Sequence, residues 1–199
     1  MNNTKLSDSK SEHVTGFQLY TCRKLRKDDL KTVMHWRMLP YVTRYMNTDP
    51  ILTIKDQICW YDKMLSSNDL YYWIVHVDNA PCGVINLNDV DNINKRCSWG
   101  YYVAEKKFRS LRLAISLEMS LYNYAFEILN LNKVVGKSFC INKTVIKLHE
   151  LCGCKTEGVL RQHIYKNGQY YDVCIQSMIL DDWKIIRNKV DYQSIEFSD

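Results

Sequence analysis

Apolar positions along the chain change their period several times, and each change marks an element. The run at 17–25, FQLYTCRKL, alternates as a strand does. Asp28 and Asp29 then start a helix carrying Leu30, Val33, Met34, Trp36 and Arg37, which Pro40 is expected to end. Thr53 and Asp56 make a capping box, with Asp for the usual Glu, before a helix to about Leu65. Residues 71–77, YYWIVHV, are aromatic and β-branched; DNAPCG turns the chain, 83–88 returns, and Asp91–Asn92 mark a second turn before a strand at 95–104. That succession predicts a three-strand antiparallel meander. Leu117, Leu121, Ala125 and Ile128 recur at helical spacing, so 114–129 is predicted as a long amphipathic helix. A strand at 133–140 follows, and strand–helix–strand order calls for a parallel neighbour. Asn142 caps a short helix with Val145, Leu148, His149 and Cys152 on one face, and Gly153 ends it. The chain closes in a hairpin of 158–165 and 169–180 around Asn167–Gly168, the strongest short-range hairpin signal.

With 199 residues, the simplest organisation is one domain over 17–180, a disordered tail over 1–16, and a tail or short helix over 181–199. Residues 1–16 lack the apolar segment of a secretory signal, and no apolar run approaches the ~20 residues that span a bilayer, so a cytoplasmic protein is expected. The eight cysteines form no C-x-x-C pair and sit mostly in apolar runs, the pattern of reduced thiols used as small hydrophobes rather than of a metal knuckle. The net charge of +5 is spread among acids without a basic run, which argues against nucleic acid and suits a small anionic ligand as well as a plain solvated surface.

The chemistry-bearing stretch runs from Cys97 to Gly158. A basic turn, KKFRSLR, leads into the long helix, and a helix N-terminus beside basic side chains is a place for a phosphate. His149 is the polar residue on the apolar stripe of its helix, and an unperturbed histidine titrates in the range a general acid needs. Each feature also has a simpler reading. The turn is a basic surface, His149 a core-edge ring bonded to backbone, and Asn142 an ordinary cap.

In order and content this stretch, and with it roughly residues 17–180, resembles the GNAT N-acetyltransferases. The resemblance implies an α+β (mixed α/β) GNAT fold, with a mostly antiparallel central sheet, a splayed parallel strand pair and flanking helices. It implies acetyl-CoA as co-substrate and no metal. The family's pyrophosphate motif is Arg or Gln, two residues, Gly, one residue, then Gly or Ala. Arg109 and Ala114 match it and Arg112 replaces the central Gly, which places Arg109, Ser110, Leu111, Arg112, Leu113 and Ala114 on the cofactor. Backbone at Tyr102, Val103 and Ala104 would pair with pantetheine, and Asn142 would contact its arm. His149 stands where the family has the Tyr that protonates the departing thiolate.

One subgroup, the N-acetyltransferases of pseudaminic acid synthesis, is similar in HWRMLP (35–40), YMNTDPILTIKDQICWYDKM (45–64), YYWIV…GVINLNDVD (71–91) and EGVLRQHIYKNGQYYDV (157–173). That implies a UDP-linked amino-dideoxy sugar as acceptor at its 4-amino group, contacted by Arg37, Gln57, Asn88, Asp89 and Tyr102, with Asp89 a candidate base. A protein N-terminus or other small amine as acceptor, or a weakly catalytic acyl-CoA-binding module, remains open. No nucleic-acid or membrane partner is implied, and a homodimer is admissible.

Overall fold

The computed structural model describes residues 18–198, so the tail expected over 1–16 lies outside the described residues. Strand β1 (Tyr20–Lys24) leads through a single 3-10 turn into helix α1 (Leu30–Arg37). Arg23 fixes that turn by forking onto both carboxylate oxygens of Asp29 at 2.7 Å. Pro40 does more than stop a helix. It opens α2 (Pro40–Thr43), because proline at the first helical position forfeits no hydrogen bond. The capping box at α3 (Ile54–Leu65) is reciprocal: Thr53 Oγ1 accepts from the Asp56 amide, and the Asp56 carboxylate accepts from the Thr53 amide at 2.8 Å.

Strands β2 (Tyr71–Val77), β3 (Ala80–Asp91) and β4 (Arg96–Val103) form the meander. The first turn is tighter than DNAPCG suggests. Asp78 and Asn79 make it alone, with φ of 51° and 64°, which their short polar side chains tolerate. The return strand therefore starts at Ala80 and takes in Pro81 where the register slips. Gly83 of β3 is required, since a Cβ there would lie 2.1 Å from the Tyr102 carbonyl of β4.

Helix α4 (Leu111–Asn123) starts before residue 114 because the Ser110 hydroxyl accepts from the Leu113 amide, and it closes in a π turn at Tyr124–Ile128. Then come β5 (Lys133–Phe139), α5 (Lys143–Leu151), and the hairpin of β6 (Lys155–Lys166) and β7 (Gln169–Ile179). The segment after it forms α6 (Leu180–Ile186) and then β8 (Phe197–Ser198), which lies parallel to β1.

The eight strands make one sheet in the order β6-β7-β5-β4-β3-β2-β1-β8, mostly antiparallel, with parallel pairs β4–β5 and β1–β8. Alternation divides its residues between two cores. Trp73, Val75, Ile85, Leu87, Cys97 and Trp99 face α4, while Ile74 and Val84 face α1, α2 and α3. Six cysteines are buried, as small apolar fillers.

Lys166, at the tip of β6, is buried and ties the far hairpin to the loop between α2 and α3. Its Nζ donates to the carbonyls of Thr43 at 2.7 Å and Met46 at 2.9 Å and pairs with Asp49 at 2.9 Å. Lys166→Met is expected to destabilise the fold by about 1–3 kcal/mol in urea unfolding, since it strips charged hydrogen bonds. Bonds from Thr43, Lys166 and Asn167 hold the Asp49 carboxyl down at about 2. Its contribution is thus present above the ordinary carboxylate range and lost as pH falls toward 2, so the gap between wild type and variant should narrow on acidification, while the part from the two carbonyls persists. An unchanged unfolding midpoint at pH 7 would contradict this role.

Candidate active site

The parallel pair is short by construction. β5 pairs with β7 along its whole length, Lys133↔Ile179 through Phe139↔Val173, but with β4 only at Arg96↔Lys133, Cys97↔Val134 and Ser98↔Val135. Beyond Ser98 the two strands part. The Trp99 indole sits at the fork against Gly136, where a Cβ would come 3.1 Å from Nε1. A gap therefore opens toward the C-terminal ends of β4 and β5, and backbone from Trp99 onward has no β5 partner.

The basic turn and the start of α4 stand at the mouth of this gap. Lys106, Lys107, Arg109 and Arg112 precede or enter the helix, and its first turn holds no acid. Lys106 and Arg109 lie over the Tyr41 ring, 4.2 and 5.0 Å from its centroid, so α2 contributes to the mouth. Arg112 projects from the surface of the first helical turn, and Leu111 is exposed beside it, whereas Leu113 is in the core and Ala114 is half-buried. First-turn amides lack acceptors within the helix, which makes this end a site for an anion. Arg109 Nε also donates to the Val103 carbonyl at 2.8 Å, and the Ala104 amide donates to Cys82 at 2.7 Å. Those two groups are thus already paired, and the backbone of Tyr102 stands opposite Val84 in the β3–β4 ladder. Across the gap, Asn142 precedes α5 but makes no capping hydrogen bond with its side chain.

On the α1–α3 face, four of the five expected acceptor residues come together around Tyr72. Its hydroxyl donates to Asn88 Oδ1 at 2.8 Å, and its titration is raised by burial, against Arg37 and with Asp89. Tyr102 is the next residue on this face. Its hydroxyl is buried without a protein partner, and burial, opposed by Arg37, raises its titration strongly. Arg37, half-buried at the end of α1, also touches the Met46 sulfur. Asp89 is exposed at a bulge, with φ 52°, and accepts from Ser98 Oγ at 2.7 Å, at the last pair before the strands part. A cleft of about 730 Å³ runs from here past Asp69, Asp91, Val135 and Lys137. Gln57 stands apart, buried on the first turn of α3.

His149 is on the opposite face and only 6% exposed. Its ring packs edge-on against Trp99, centroids 4.8 Å apart, and its Nδ1 lies 3.1 Å from Glu118 Oε1 of α4. Tyr122 donates to the same oxygen at 2.5 Å, and the Cys154 sulfur lies 3.0 Å from that hydroxyl. Burial pushes Glu118 up to about 8, against hydrogen bonds from Tyr122 and Cys152, and pushes His149 down to about 4. The contact is therefore a hydrogen bond between neutral partners rather than an ion pair.

Sequence reasoning missed Glu118, Tyr122, Ser98, Gly136 and Tyr72. A glycine within the strand KVVGKSF and a carboxylate beside Leu117 in an apolar helix are the signals that point to two of them. Among the described residues no group of three His, Cys, Asp or Glu is placed to hold a metal, and no helix is long and apolar enough to cross a membrane.

Residues 21–155 match the acetyltransferase (GNAT) domain family, and the chain belongs to it. It is 31% identical over 107 residues to YdaF of Bacillus subtilis, named as a candidate ribosomal N-acetyltransferase; the match covers 54% of this chain and 58% of that protein. It is 24% identical over 151 residues to spermidine N(1)-acetyltransferase of Escherichia coli, covering 74% and 79%, and 24% identical over 127 residues to acetyltransferase PseH of Campylobacter jejuni, covering 64% and 77%. The crystal structure of spermidine N-acetyltransferase from Vibrio cholerae, in complex with CoA and spermine, has the same fold, with a TM-score of 0.78 at 22% identity over 83% of this chain and 98% of that one. The protein is thus an acetyl-CoA-dependent N-acetyltransferase with the GNAT fold. Arg109→Ala is expected to raise the calorimetric Kd for acetyl-CoA about tenfold, the loss of one charge-assisted contact. An unchanged Kd would take the basic turn out of the site.

Proposed function

We propose that this GNAT-family chain transfers the acetyl group of acetyl-CoA to the 4-amino group of a UDP-linked amino-dideoxy sugar. In this reading the pyrophosphate lies at the start of α4, on the turn from Arg109 to Ala114, and pantetheine runs into the gap along Tyr102 with Asn142 beside it. The acceptor enters from the other face of the sheet, past Arg37, Tyr72, Asn88 and Tyr102.

The observation that carries the acceptor assignment is the cluster around Tyr72. A half-buried guanidinium, a buried hydroxyl without a protein partner and an amide suit a diphosphate and sugar hydroxyls. The segments shared with the pseudaminic acid subgroup contribute to this same surface. The match to PseH agrees with it without naming an acceptor.

Transfer is direct. The neutral amine nitrogen attacks the thioester carbonyl carbon, and the oxyanion is held by β4 amides facing the gap. The carbon–sulfur bond then breaks, and the thiolate takes a proton from His149. The proton shed by the amine goes to Asp89, which Ser98 holds at the fork, or to water beside it. Holding both ligands in one gap supplies much of the rate by orientation.

A second reading is favoured by a different observation. Asp69, Asp89 and Asp91 line the cleft against Arg96 and Lys137, a lining that would also suit a polyamine. The relatives named for spermidine point the same way. An acceptor panel separates the two, with acetyl-CoA and the UDP-amino sugar, spermidine or a peptide amine in turn. The UDP-amino sugar is expected to give the highest kcat/KM. Arg37→Ala is expected to raise its KM about tenfold and leave the Kd for acetyl-CoA unchanged. Preferred turnover of spermidine, indifferent to Arg37→Ala, would overturn the nucleotide-sugar reading.

A further inference from the structure

A carboxyl group closed off from water sits directly behind His149. Glu118 is 0% exposed on the inner face of α4, and among the described residues no lysine or arginine pairs with it. Its neighbours are all weak acids or neutral rings. Tyr122 is a turn along α4; His149 is on α5, with Cys152 and Cys154 just after it; Tyr101 lies on β4. One oxygen, Oε1, takes the Tyr122 hydroxyl and faces His149 Nδ1, while Oε2 is buried without a partner. Trp99 Nε1, on the ring packed against the same imidazole, is likewise unpartnered. An apolar side chain of this size would be cheaper to bury here. The arrangement makes sense as chemistry, because Glu118 occupies Nδ1 and leaves Nε2 as the ring nitrogen for a ligand.

We propose that Glu118 is the positioning residue and proton store of His149, holding the ring by Nδ1 so that Nε2 serves the departing thiolate and returning a proton to Nδ1 as Nε2 loses its own. The proposal rests on the reading of His149 as the acid. The step balances. As the carbon–sulfur bond breaks, its electron pair stays on sulfur, and sulfur takes the Nε2 proton. The Glu118 proton moves to Nδ1, leaving a carboxylate whose Oε1 keeps the Tyr122 hydrogen bond. Solvent then reprotonates the dyad. Burial pushes the titrations of Tyr101, Tyr122, Cys152 and Cys154 upward, so they keep their protons through neutral pH. That leaves one exchangeable proton in the cluster. The dyad holds it below about 8, where Glu118 titrates, and loses it above.

The test is the pH profile of thiol release from acetyl-CoA, with the UDP-amino sugar as acceptor, or spermidine if that is the amine acetylated. For wild type, kcat is expected to fall as pH rises through about 8. Glu118→Gln can still bond the ring but stores no acid proton. It is expected to lose about ten- to a hundredfold in kcat and to lose the alkaline limb, with the Kd for acetyl-CoA unchanged. His149→Phe in the same assay tests the underlying reading. If it leaves kcat intact, His149 is not the acid and the proposal falls with it. If His149→Phe is impaired while Glu118→Gln keeps the wild-type rate and limb, only the role of Glu118 is overturned. Should Glu118→Gln fail to fold, nitrogen NMR of the wild-type ring at pH 7 decides. A proton on Nε2 supports the dyad, and a proton on Nδ1 alone, facing an ionised Glu118, contradicts it.

Discussion

The site depends on where β5 finds its hydrogen bonds. Every residue of β5 pairs with β7, so its direction is set from that side, and β4 can follow it for only three positions before the strands separate. A sheet normally avoids leaving backbone donors and acceptors unpaired in its middle, since each costs free energy when buried. Here the unpaired edge faces a gap that a bound amide-bearing arm can fill. Gly136 and Trp99 shape the fork, one by lacking a side chain and the other by occupying the space that leaves. The elements that matter to the chemistry are then arranged by their relation to that gap, α4 at its mouth, α5 along one side and the meander along the other.

The gap also joins two faces of the sheet that carry different chemistry. Toward α1 and α3 lie Arg37, Tyr72, Asn88 and Tyr102, a polar set with a fixed cation. Toward α4 lie His149, Glu118 and Tyr122, a dry cluster whose members stay neutral because burial penalises each charged form. A reaction in which a nitrogen loses a proton on one side and a sulfur gains one on the other suits this division. Lys166 belongs to the same design at longer range, since it fixes the α2–α3 loop, which carries Met46 against Arg37.

Much of the fold was legible in the chain because its signals are local. The Thr53–Asp56 box, the Asn167–Gly168 turn and the alternation in YYWIVHV each act within a few residues, and each appears where it was read. The differences have local causes as well. Asp78 and Asn79 accept left-handed backbone, so the turn closes in two residues, and Ser110 caps α4, so the helix starts before its apolar spacing does. The site was harder to read. Tyr72, Asn88 and Ser98 meet only through strand register, and Glu118 and His149 only through the packing of two helices far apart in sequence. No spacing rule relates them. Gly136 carried a faint signal, a glycine inside a strand, whose meaning is visible only once Trp99 is seen against it.

The most direct test of this account is a crystal structure of the protein with CoA bound. The account places the CoA sulfur in the gap beyond Ser98, within hydrogen-bonding reach of His149 Nε2, roughly 3.5 Å or less for a sulfur acceptor, and the pyrophosphate at the start of α4. A CoA sulfur out of reach of His149, or a pantetheine arm lying outside the gap between β4 and β5, would contradict it.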